Sequence, residues 1–399
     1  MICKISGKKI KPFMSFGKMP IANGFIEKEN FDKEFFFEME VGFSNELSLF
    51  QLNDHPKPEL MFNEKYPFFT GSSEYMKEHF RKFSQYLKNN YLGTHSKLIE
   101  IGSNDGTLLK NFIDQKDNIL GFEPSKNVAD LAKADGVPTT NEFFNSENAS
   151  KYKNFLGQTD AIFSSNCICH IPDLNNLIKG IDLLLSKNGT FIFEEPYLGS
   201  MFEKTSYDQI YDEHIYMFSL SSISKIFSLY DFELVDALPQ ITHGGSMRYI
   251  IKRKGIAKKS KQLSNLIDKE KINSLDTIES CLNFKKNCEL SKSKIVKKIN
   301  ELKSNDKKIC GYAATSKSTT ILNYCQIDNT QIDYICDTTP EKIGKYSPGM
   351  HIPIVNMDHF YNNQPAAAYL FAWNHKEEIF KKENNFKGEW FSHVVLQQK

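Results

Sequence analysis

The chain has 399 residues, a formal net charge of +1 and 40% hydrophobic residues, a composition typical of a folded protein with two or three domains. It excludes a disordered or collagen-like chain, and the near-neutral charge argues against a nucleic-acid-binding protein. No segment has the roughly 18 consecutive apolar residues of a membrane span, and the first residues lack the apolar stretch of a signal peptide. Eight dispersed cysteines suit reduced thiols. We therefore expect a cytoplasmic protein with no membrane partner.

The pattern divides the chain into four predicted segments. Residues 1–80 are rich in aromatic residues and contain short alternating runs, which predicts a small β-rich cap. Residues 81–254 alternate apolar runs with amphipathic stretches and predict a mostly parallel α/β sheet. The lysine-rich residues 255–307 have apolar positions at helical spacing and predict two connecting helices. Residues 308–399 repeat the strand–helix–strand pattern and predict a second α/β unit.

Short apolar runs and helical periodicity set the expected elements in each segment. In the cap we expect a strand at 35–41. The predicted strands of the middle segment are 98–101, 119–122, 161–163 and 190–193, and its predicted helices are 108–112, 127–134 and 174–186. In the last segment we expect strands at 308–312 and 332–337 with a helix at 318–324 between them. Parallel strands of this kind carry their ligand-binding loops at the carboxyl ends.

A glycine-containing loop, Glu100 to Gly106, follows the first strand of the middle segment. Its G-x-x-x-G spacing, from Gly102 to Gly106, matches neither the dinucleotide fingerprint nor the phosphate loop. An acidic residue at the strand end is unfavourable beside a pyrophosphate but suits S-adenosylmethionine, which carries a sulfonium and an ammonium group. Glu123, one strand later, is placed to bind both ribose hydroxyls. The loop therefore favours a class I methyltransferase over a nicotinamide enzyme; the remaining alternative is a glycine turn that only lets the helix pack.

Specific motifs occur in one order over nearly the whole chain. They are IEIGSNDGTLL, GFEPS, the run Asn166 to Asp173, FEEPY, Tyr211 to His214 with Phe218 and Ser219, His243 to Arg248, GYAATSKSTTILNYC and KIGKYSPGMHIPI. In these motifs the chain resembles the sugar C-methyltransferases that act on nucleotide-linked 4-keto-6-deoxyhexoses. The resemblance implies an α/β protein with a central class I methyltransferase Rossmann-like sheet, a small N-terminal β-rich cap and a second, C-terminal Rossmann-like unit that closes over the substrate. It also implies S-adenosylmethionine as cofactor and a nucleotide-sugar substrate.

Methylation of a carbon next to a ketone needs a base that forms the enolate and a donor that stabilises the enolate oxygen. The resemblance implies His214 as the general base, with Glu213 beside it to orient or polarise the site. His170 is expected to reach the same cleft, and Tyr211 and Tyr66 are candidate phenolic donors. A histidine in a structured loop is also commonly a structural residue, so each histidine keeps that alternative.

The remaining predicted site residues belong to the cofactor and the substrate. The predicted cofactor pocket consists of Glu100, Gly102, Asn104, Gly106, Glu123, Pro124 and Asn166. The predicted substrate contacts are His243, Gly245, Ser316 and Lys317. Ser316 or Lys317 would meet a substrate phosphate at a helix N-terminus, the alternative being an ordinary strand-to-helix turn. The glycines after His243 also fit a tight turn.

The chain departs from the family pattern at two places. The family's cap usually carries zinc on two C-x-x-C pairs, but here only Cys3 remains, with Ser6, Ser44 and Leu47 at the other positions. One thiolate cannot form a tetrahedral site, so we predict no zinc and no other metal, with aromatic packing replacing it. Cys167 and Cys169, spaced too closely for a zinc knuckle, are interpreted as buried thiols. The second departure is Asp212, where relatives commonly have histidine; it would change the charge beside the proposed base.

The resulting prediction is a sugar C-methyltransferase in surface-glycan or glycoside biosynthesis, present as a monomer or homodimer. One alternative is a sugar O-methyltransferase, in which His214 would deprotonate a hydroxyl. The other is a non-catalytic protein that binds nucleotide sugars. The unit beginning at Gly311 lacks the second glycine of a dinucleotide fingerprint and is not expected to bind a dinucleotide.

Overall fold

The computed structural model describes residues 1–64 and 66–396. The strands are β1 (Pro12–Pro20), β2 (Phe36–Ser44), β3 (Leu49–Leu52), β4 (Leu98–Ile101), β5 (Ile119–Phe122), β6 (Thr139–Thr140), β7 (Thr159–Ser165), β8 (Leu185–Pro196), β9 (Tyr216–Met217), β10 (Phe232–Gln240), β11 (Ser246–Arg253), β12 (Ile309–Tyr312), β13 (Tyr334–Cys336), β14 (Ile354–Val355), β15 (Ala367–Leu370) and β16 (Glu389–Phe391).

The helices connect these strands and cover their sheets. The α-helices are α1 (Pro58–Met61), α2 (Glu74–Asn90), α3 (Lys126–Ala134), α4 (Ser146–Ala149), α5 (Leu174–Leu184), α6 (Leu198–Lys204), α7 (Leu220–Ser228), α8 (Lys261–Ile272), α9 (Ile278–Lys303), α10 (Ser316–Cys325), α11 (Met357–Asn363) and α12 (Lys376–Lys382). The 3₁₀ helices are Lys28–Lys33, Thr70–Ser72, Leu109–Asn118, Ile168–His170, Tyr207–Gln209, Thr242–Gly244 and Trp373–His375. None of the described helices is long and apolar enough to cross a membrane.

The central sheet has seven strands in the order β10-β11-β8-β7-β4-β5-β6. Strands β4 to β8 run parallel, whereas β11 pairs antiparallel with both β8 and β10. Because the parallel strands are buried on both faces, they read in the sequence as continuous apolar runs. Helices α3 and α5 and all four strands predicted for this segment are confirmed.

The predicted helix at 108–112 was wrong in type. The chain forms an irregular 3₁₀ helix, Leu109–Asn118, in which Phe112 has non-helical backbone angles. The side-chain amide of Asn111 donates to the carbonyl oxygens of Thr107 and Leu108, and this competes with a regular helical turn. The strand predicted at 190–193 is the centre of β8, which begins directly after α5.

The C-terminal unit has a five-stranded parallel sheet in the order β14-β13-β12-β15-β16. The strands predicted at 308–312 and 332–337 and the helix between them are present as β12, β13 and α10. The two connecting helices predicted for 255–307 are α8 and α9. This confirms the predicted fold class: a Rossmann-like central sheet, a β-rich cap and a second Rossmann-like unit.

The cap is not an independent structural unit. Its antiparallel sheet has the order β1-β2-β3-β9, so its last strand comes from the middle of the chain. Phe50 of β3 shares a buried apolar cluster with Phe284 of α9 and Tyr369 of β15. Helix α2 crosses residue 80, the expected end of the cap. The cap is therefore held by residues that the sequence pattern assigned to other segments.

A buried ion pair ties β8 to β11. Glu194 accepts a hydrogen bond from Arg248 (2.9 Å) and one from Thr242 (2.8 Å), and His79 of α2 lies 3.0 Å away. Burial alone would raise the pKa of Glu194, but its bond to His79 and the charge of Arg248 outweigh burial and lower the pKa to about 2. The guanidinium also lies 3.9 Å from the ring centroid of Phe83. This end of the sheet thus depends on a charged pair that has almost no access to water.

Replacing Arg248 with Met is expected to lower the free energy of unfolding by about 3 kcal/mol, because Glu194 would remain buried without its cationic partner. Urea unfolding measures the change. Arg81→Met is the control, since Arg81 pairs with Glu78 on the exposed face of α2 and its removal should leave stability nearly unchanged. Equal losses in the two variants would contradict the assignment.

Candidate active site

A cavity of about 1020 Å³ lies between the carboxyl ends of the central strands, the cap and the C-terminal unit. It is lined by all five residues predicted for the chemistry: His214, His170, Tyr211, Glu213 and Tyr66. It is also lined by most of the predicted cofactor and substrate contacts: Glu100, Gly102, Asn104, Glu123, Pro124, Asn166, His243, Ser316 and Lys317. The structure therefore brings residues from the cap, the middle segment and the C-terminal unit to one site.

Two predicted glycines do not line the cavity. Gly106 has a φ of +74°, and a Cβ there would lie 3.0 Å from a methyl group of Val137. Gly245 has a φ of +126°, and a Cβ there would lie 2.5 Å from the hydroxyl of Ser200. Both glycines are required by backbone conformation and close packing, which accounts for them without ligand contact.

The glycine loop after β4 packs against the loop after β7. Gly102 has a φ of +71°, and a Cβ at this position would lie 2.4 Å from the Cys167 sulfur. Glu100, the residue before the last one of β4, is buried, and burial raises the pKa of its carboxyl well above the ordinary value. Its Oε2 atom has no hydrogen-bond partner among the described residues. The loop therefore presents an unsatisfied acceptor to the cavity.

Glu123 lies directly after β5 and organises the neighbouring backbone. Its Oε2 atom accepts a hydrogen bond from the N–H of Asn104 (3.0 Å), and its Oε1 atom accepts one from the N–H of Ser125 (2.8 Å). Burial raises its pKa, and these two bonds act in the opposite direction. Each carboxylate oxygen keeps a second lone pair, so Glu123 still has capacity for ribose hydroxyls.

Buried acceptor atoms without hydrogen-bond partners indicate whether S-adenosylmethionine fits this half of the cavity. Besides Glu100, Asn166 has a buried side-chain oxygen without a partner among the described residues, and its backbone has a φ of +53°. Buried acceptors without donors are unfavourable by themselves, and a cofactor with an ammonium group and two hydroxyls supplies donors. The residues present fit that cofactor.

A segment that we call the strap, residues 66–72, covers the cofactor half of the cavity. Asn104 accepts a hydrogen bond from the N–H of Thr70 (2.8 Å) and donates to the carbonyl oxygen of Phe68 (3.2 Å). Asp105 accepts one from the N–H of Gly71 (2.7 Å). The side chain of Asn104, predicted to contact the cofactor, is thus hydrogen-bonded to the strap. Asp105 was not predicted as a residue that holds the strap, because no local sequence pattern indicates a bond to residue 71.

His214 is fixed by two hydrogen bonds within its own turn. Its Nδ1 atom lies 2.7 Å from the carbonyl oxygen of Gln209, and its Nε2 atom lies 2.8 Å from the hydroxyl of Tyr211. Because a carbonyl oxygen only accepts, Nδ1 carries the proton and Nε2 holds the lone pair, which accepts from Tyr211. Burial and the neighbouring His170 lower the pKa of His214 well below its ordinary value. The imidazole is therefore neutral at neutral pH.

His170 stacks between two aromatic rings. Its ring centroid lies 5.3 Å from that of His214 and 5.5 Å from that of Phe62. Burial lowers its pKa to about 4, and its Nε2 atom has no partner among the described residues. The backbone N–H groups of Cys167 and Ile168, just before it, donate to Glu195 (2.9 and 2.6 Å). His170 thus presents a free ring nitrogen on a firmly held loop.

The cap supplies one cavity residue that sequence reasoning missed. Asn23 donates through Nδ2 to Oε1 of Glu213 (2.7 Å) and lines the cavity. Asp212 accepts a hydrogen bond from the N–H of Ala22 (2.9 Å) and does not line the cavity. Asp212 is therefore a contact to the cap and does not line the cavity. Burial raises the pKa of both carboxyls, and the charge of Glu213 raises the pKa of Asp212 further.

The opposite wall of the cavity carries a buried cation. Lys317, at the start of α10, lies 5.1 Å above the ring of Trp373 and 3.5 Å from the side-chain oxygen of Asn374. Burial lowers its pKa, as it lowers that of His243 to about 3. Within the described residues, the hydrogen-bond partner of the ammonium group is the neutral Asn374, so this wall suits an anionic group.

Three sequence families match consecutive parts of the chain. "Putative zinc binding domain" matches residues 3–62, "Methyltransferase domain" matches 72–237 and "C-methyltransferase C-terminal domain" matches 241–396. The C-methyltransferase NovU of Streptomyces niveus is 26% identical over 376 residues, which cover 94% of this chain and 89% of that protein. The protein is an S-adenosylmethionine-dependent methyltransferase that is similar to known C-methyltransferases.

Solved structures that are similar to this chain have lower identity and cover less than half of it. A Pyrococcus horikoshii protein has 14% identity and a TM-score of 0.38, covering 47% of this chain and 95% of its own. An S-adenosylmethionine-dependent methyltransferase of Anabaena variabilis has 18% identity and a TM-score of 0.35, covering 44% of this chain and 84% of its own.

The zinc-binding family match extends over a region with little capacity for zinc. Cys3 is the only cysteine within residues 3–62 of this chain. Phe37, Phe43 and Phe50 of the cap are buried in the shared apolar cluster, whereas Phe35 and Phe36 are exposed. The absence of zinc from the cap stays a prediction, which elemental analysis of the purified protein can check.

Replacing Asp105 with Ala is expected to loosen the strap, because the N–H of Gly71 would lose a charged acceptor. Amide hydrogen exchange at Gly71 should become about tenfold faster, and S-adenosylmethionine should bind more weakly. Thr107→Val is the matched control, since Thr107 also donates to Asp105 but makes no hydrogen bond with the strap. Unchanged exchange at Gly71 in Asp105→Ala would contradict this role.

Proposed function

We propose that this C-methyltransferase methylates a carbon next to the keto group of a nucleotide-linked sugar, with His214 as the general base. The Tyr211–His214 hydrogen bond carries the proposal. It fixes the lone pair of a neutral imidazole on Nε2, and both side chains line the cavity that the cofactor residues also line. The family supports the carbon acceptor. The buried Lys317 and the N-terminus of α10 support an anionic substrate, since a nucleotide sugar carries a diphosphate.

The proposed chemistry begins with proton removal. The proton on the substrate carbon passes to Nε2 of His214, either directly after Tyr211 turns aside or through the phenolic oxygen that already donates to Nε2. The resulting enolate oxygen needs a hydrogen-bond donor, and His170, with its free ring nitrogen, is the proposed group. Bound S-adenosylmethionine supplies an electrophilic methyl group.

The surrounding groups hold this arrangement in place. Gln209 keeps the proton on Nδ1, so His214 accepts at Nε2 alone. Glu213, held by Asn23, sets the charge beside the base, and Tyr66 is proposed as a further donor to the substrate. Lys317 and Ser316 are proposed to bind the phosphate groups, which would position the sugar carbon against the methyl donor.

His214→Asn is expected to reduce methyl transfer by at least about 10³-fold while S-adenosylmethionine still binds in calorimetry. Exchange of the substrate's α-hydrogen with deuterated solvent should also be lost, because this exchange requires formation of the enolate. His95→Asn is the matched control, since His95 is exposed. Full activity in His214→Asn would exclude the base assignment. Methyl transfer by the wild-type enzyme without any α-hydrogen exchange would indicate oxygen as the acceptor.

Asn23→Leu is expected to move the acidic limb of the kcat/KM profile to higher pH. Burial already raises the pKa of Glu213, and the Asn23 amide partly offsets this by stabilising the carboxylate. Without the amide, the carboxyl would stay protonated up to a higher pH, so activity should fall first on the acidic side. Asn53→Leu is the control, because Asn53 makes a similar amide–carboxylate bond to Glu40 in the cap. An unshifted limb in Asn23→Leu would contradict the role.

A further inference from the structure

One cluster at the cavity combines a thiol with the two histidines. The sulfur of Cys169 and one ring nitrogen each of His170 and His214 lie within 4.8 Å of one another. Cys169 is 1% exposed and follows β7, whereas His214 comes from the turn after Tyr207–Gln209. The proposed methyl transfer uses both histidines and leaves the thiol without a role.

The three ligand atoms match the preferences of a soft divalent cation. Zinc binds thiolate and imidazole at about 2.0–2.3 Å, and sites with three protein ligands leave a fourth position open. Tetrahedral ligand atoms at those bond lengths lie about 3.5 Å apart, so the ligand atoms must approach one another. The two histidine rings must also turn out of their stacked arrangement so that both lone pairs point at one cation. The cavity beside the histidines leaves room for the fourth ligand, a water molecule.

The lone pairs and the proton of this cluster can be accounted for. The Nε2 atom of His170 has no partner among the described residues; it can bind a cation when the ring proton lies on Nδ1, the tautomer opposite to the one that donates to the enolate. The Nε2 atom of His214 becomes available once the Tyr211 hydroxyl turns away. The thiol must lose its proton when the metal–sulfur bond forms. Glu195 lies beside it, with Oε1 3.4 Å from the Cys169 nitrogen and Oε2 without a partner among the described residues, and its carboxylate is the proposed acceptor.

We propose that Cys169, His170 and His214 form a binding site for zinc or a cation of similar softness, and that the bound cation inhibits methyl transfer. Inhibition follows because the metal takes the lone pair that His214 needs as a base. This consequence rests on the proposed function, whereas binding itself does not. The site lies apart from the cap, where Cys3 is the only cysteine.

Titration of the full-length protein with Co²⁺, in the absence of substrate, tests binding directly. A thiolate–Co²⁺ charge-transfer band should appear with one equivalent and disappear when Zn²⁺ is added. Cys169→Ser should lose the band, whereas Cys167→Ser, altered two residues away, and Cys3→Ser, altered in the cap, should keep it. Circular dichroism checks folding, and Cys169→Ala serves if the serine variant does not fold. A band that persists without Cys169, or that is absent from the wild type, overturns the site.

Zinc inhibition tests the consequence separately. Methyl transfer by the wild-type protein should be inhibited by Zn²⁺, and Cys169→Ser should need at least about tenfold more Zn²⁺ for the same inhibition, with activity in the absence of metal retained. Equal inhibition of both proteins overturns the inhibitory role. Because the cobalt band is read without substrate, failure of the proposed substrate assignment leaves the binding result intact.

Discussion

The hydrogen bonds that hold the His214 ring are the constraint on which the rest of the site depends. Gln209 and Tyr211 bond its two nitrogens and thereby determine where the proton and the lone pair lie. The turn that carries all three residues is buried, so it needs partners from elsewhere. These partners come from the C-terminal unit and the cap: Trp373 bonds Asp208, Thr320 bonds the carbonyl of Ile210, Ala22 bonds Asp212 and Asn23 bonds Glu213. The orientation of the proposed base therefore depends on the packing of the cap and the C-terminal unit against this turn.

Burial and charge explain why a nearly neutral protein suits this chemistry. On the cofactor side, Glu100 and Glu123 are buried acids whose environment favours a cationic, hydroxyl-rich ligand. On the opposite wall, Lys317 is a buried cation that favours an anion. Between them the two histidines are kept neutral by burial, so one can accept a proton at neutral pH. The cavity thus carries acidic side chains toward the cofactor residues and a cationic side chain from the C-terminal unit.

Local patterns in the sequence predicted the elements that position the site. Continuous apolar runs indicated β4, β5 and β12, and the motifs indicated the acids and histidines that line the cavity. What could not be predicted involves contacts between distant segments. Strand β9 joins the cap sheet, Asn23 reaches Glu213 and Asn104 holds the strap, and no local periodicity encodes these pairings. Gly245 was predicted as a substrate contact but does not line the cavity; the sequence could not separate the two cases, because backbone conformation and ligand approach both favour glycine.

The most direct test of the central claim is a crystal structure of the protein with S-adenosylhomocysteine bound. The claim predicts the ribose on Glu123, the strap closed over the ligand, and the sulfur atom facing the Tyr211–His214 pair across the cavity. A sulfur atom directed away from that pair, or a ligand bound elsewhere, would contradict a shared cavity for methyl donor and base.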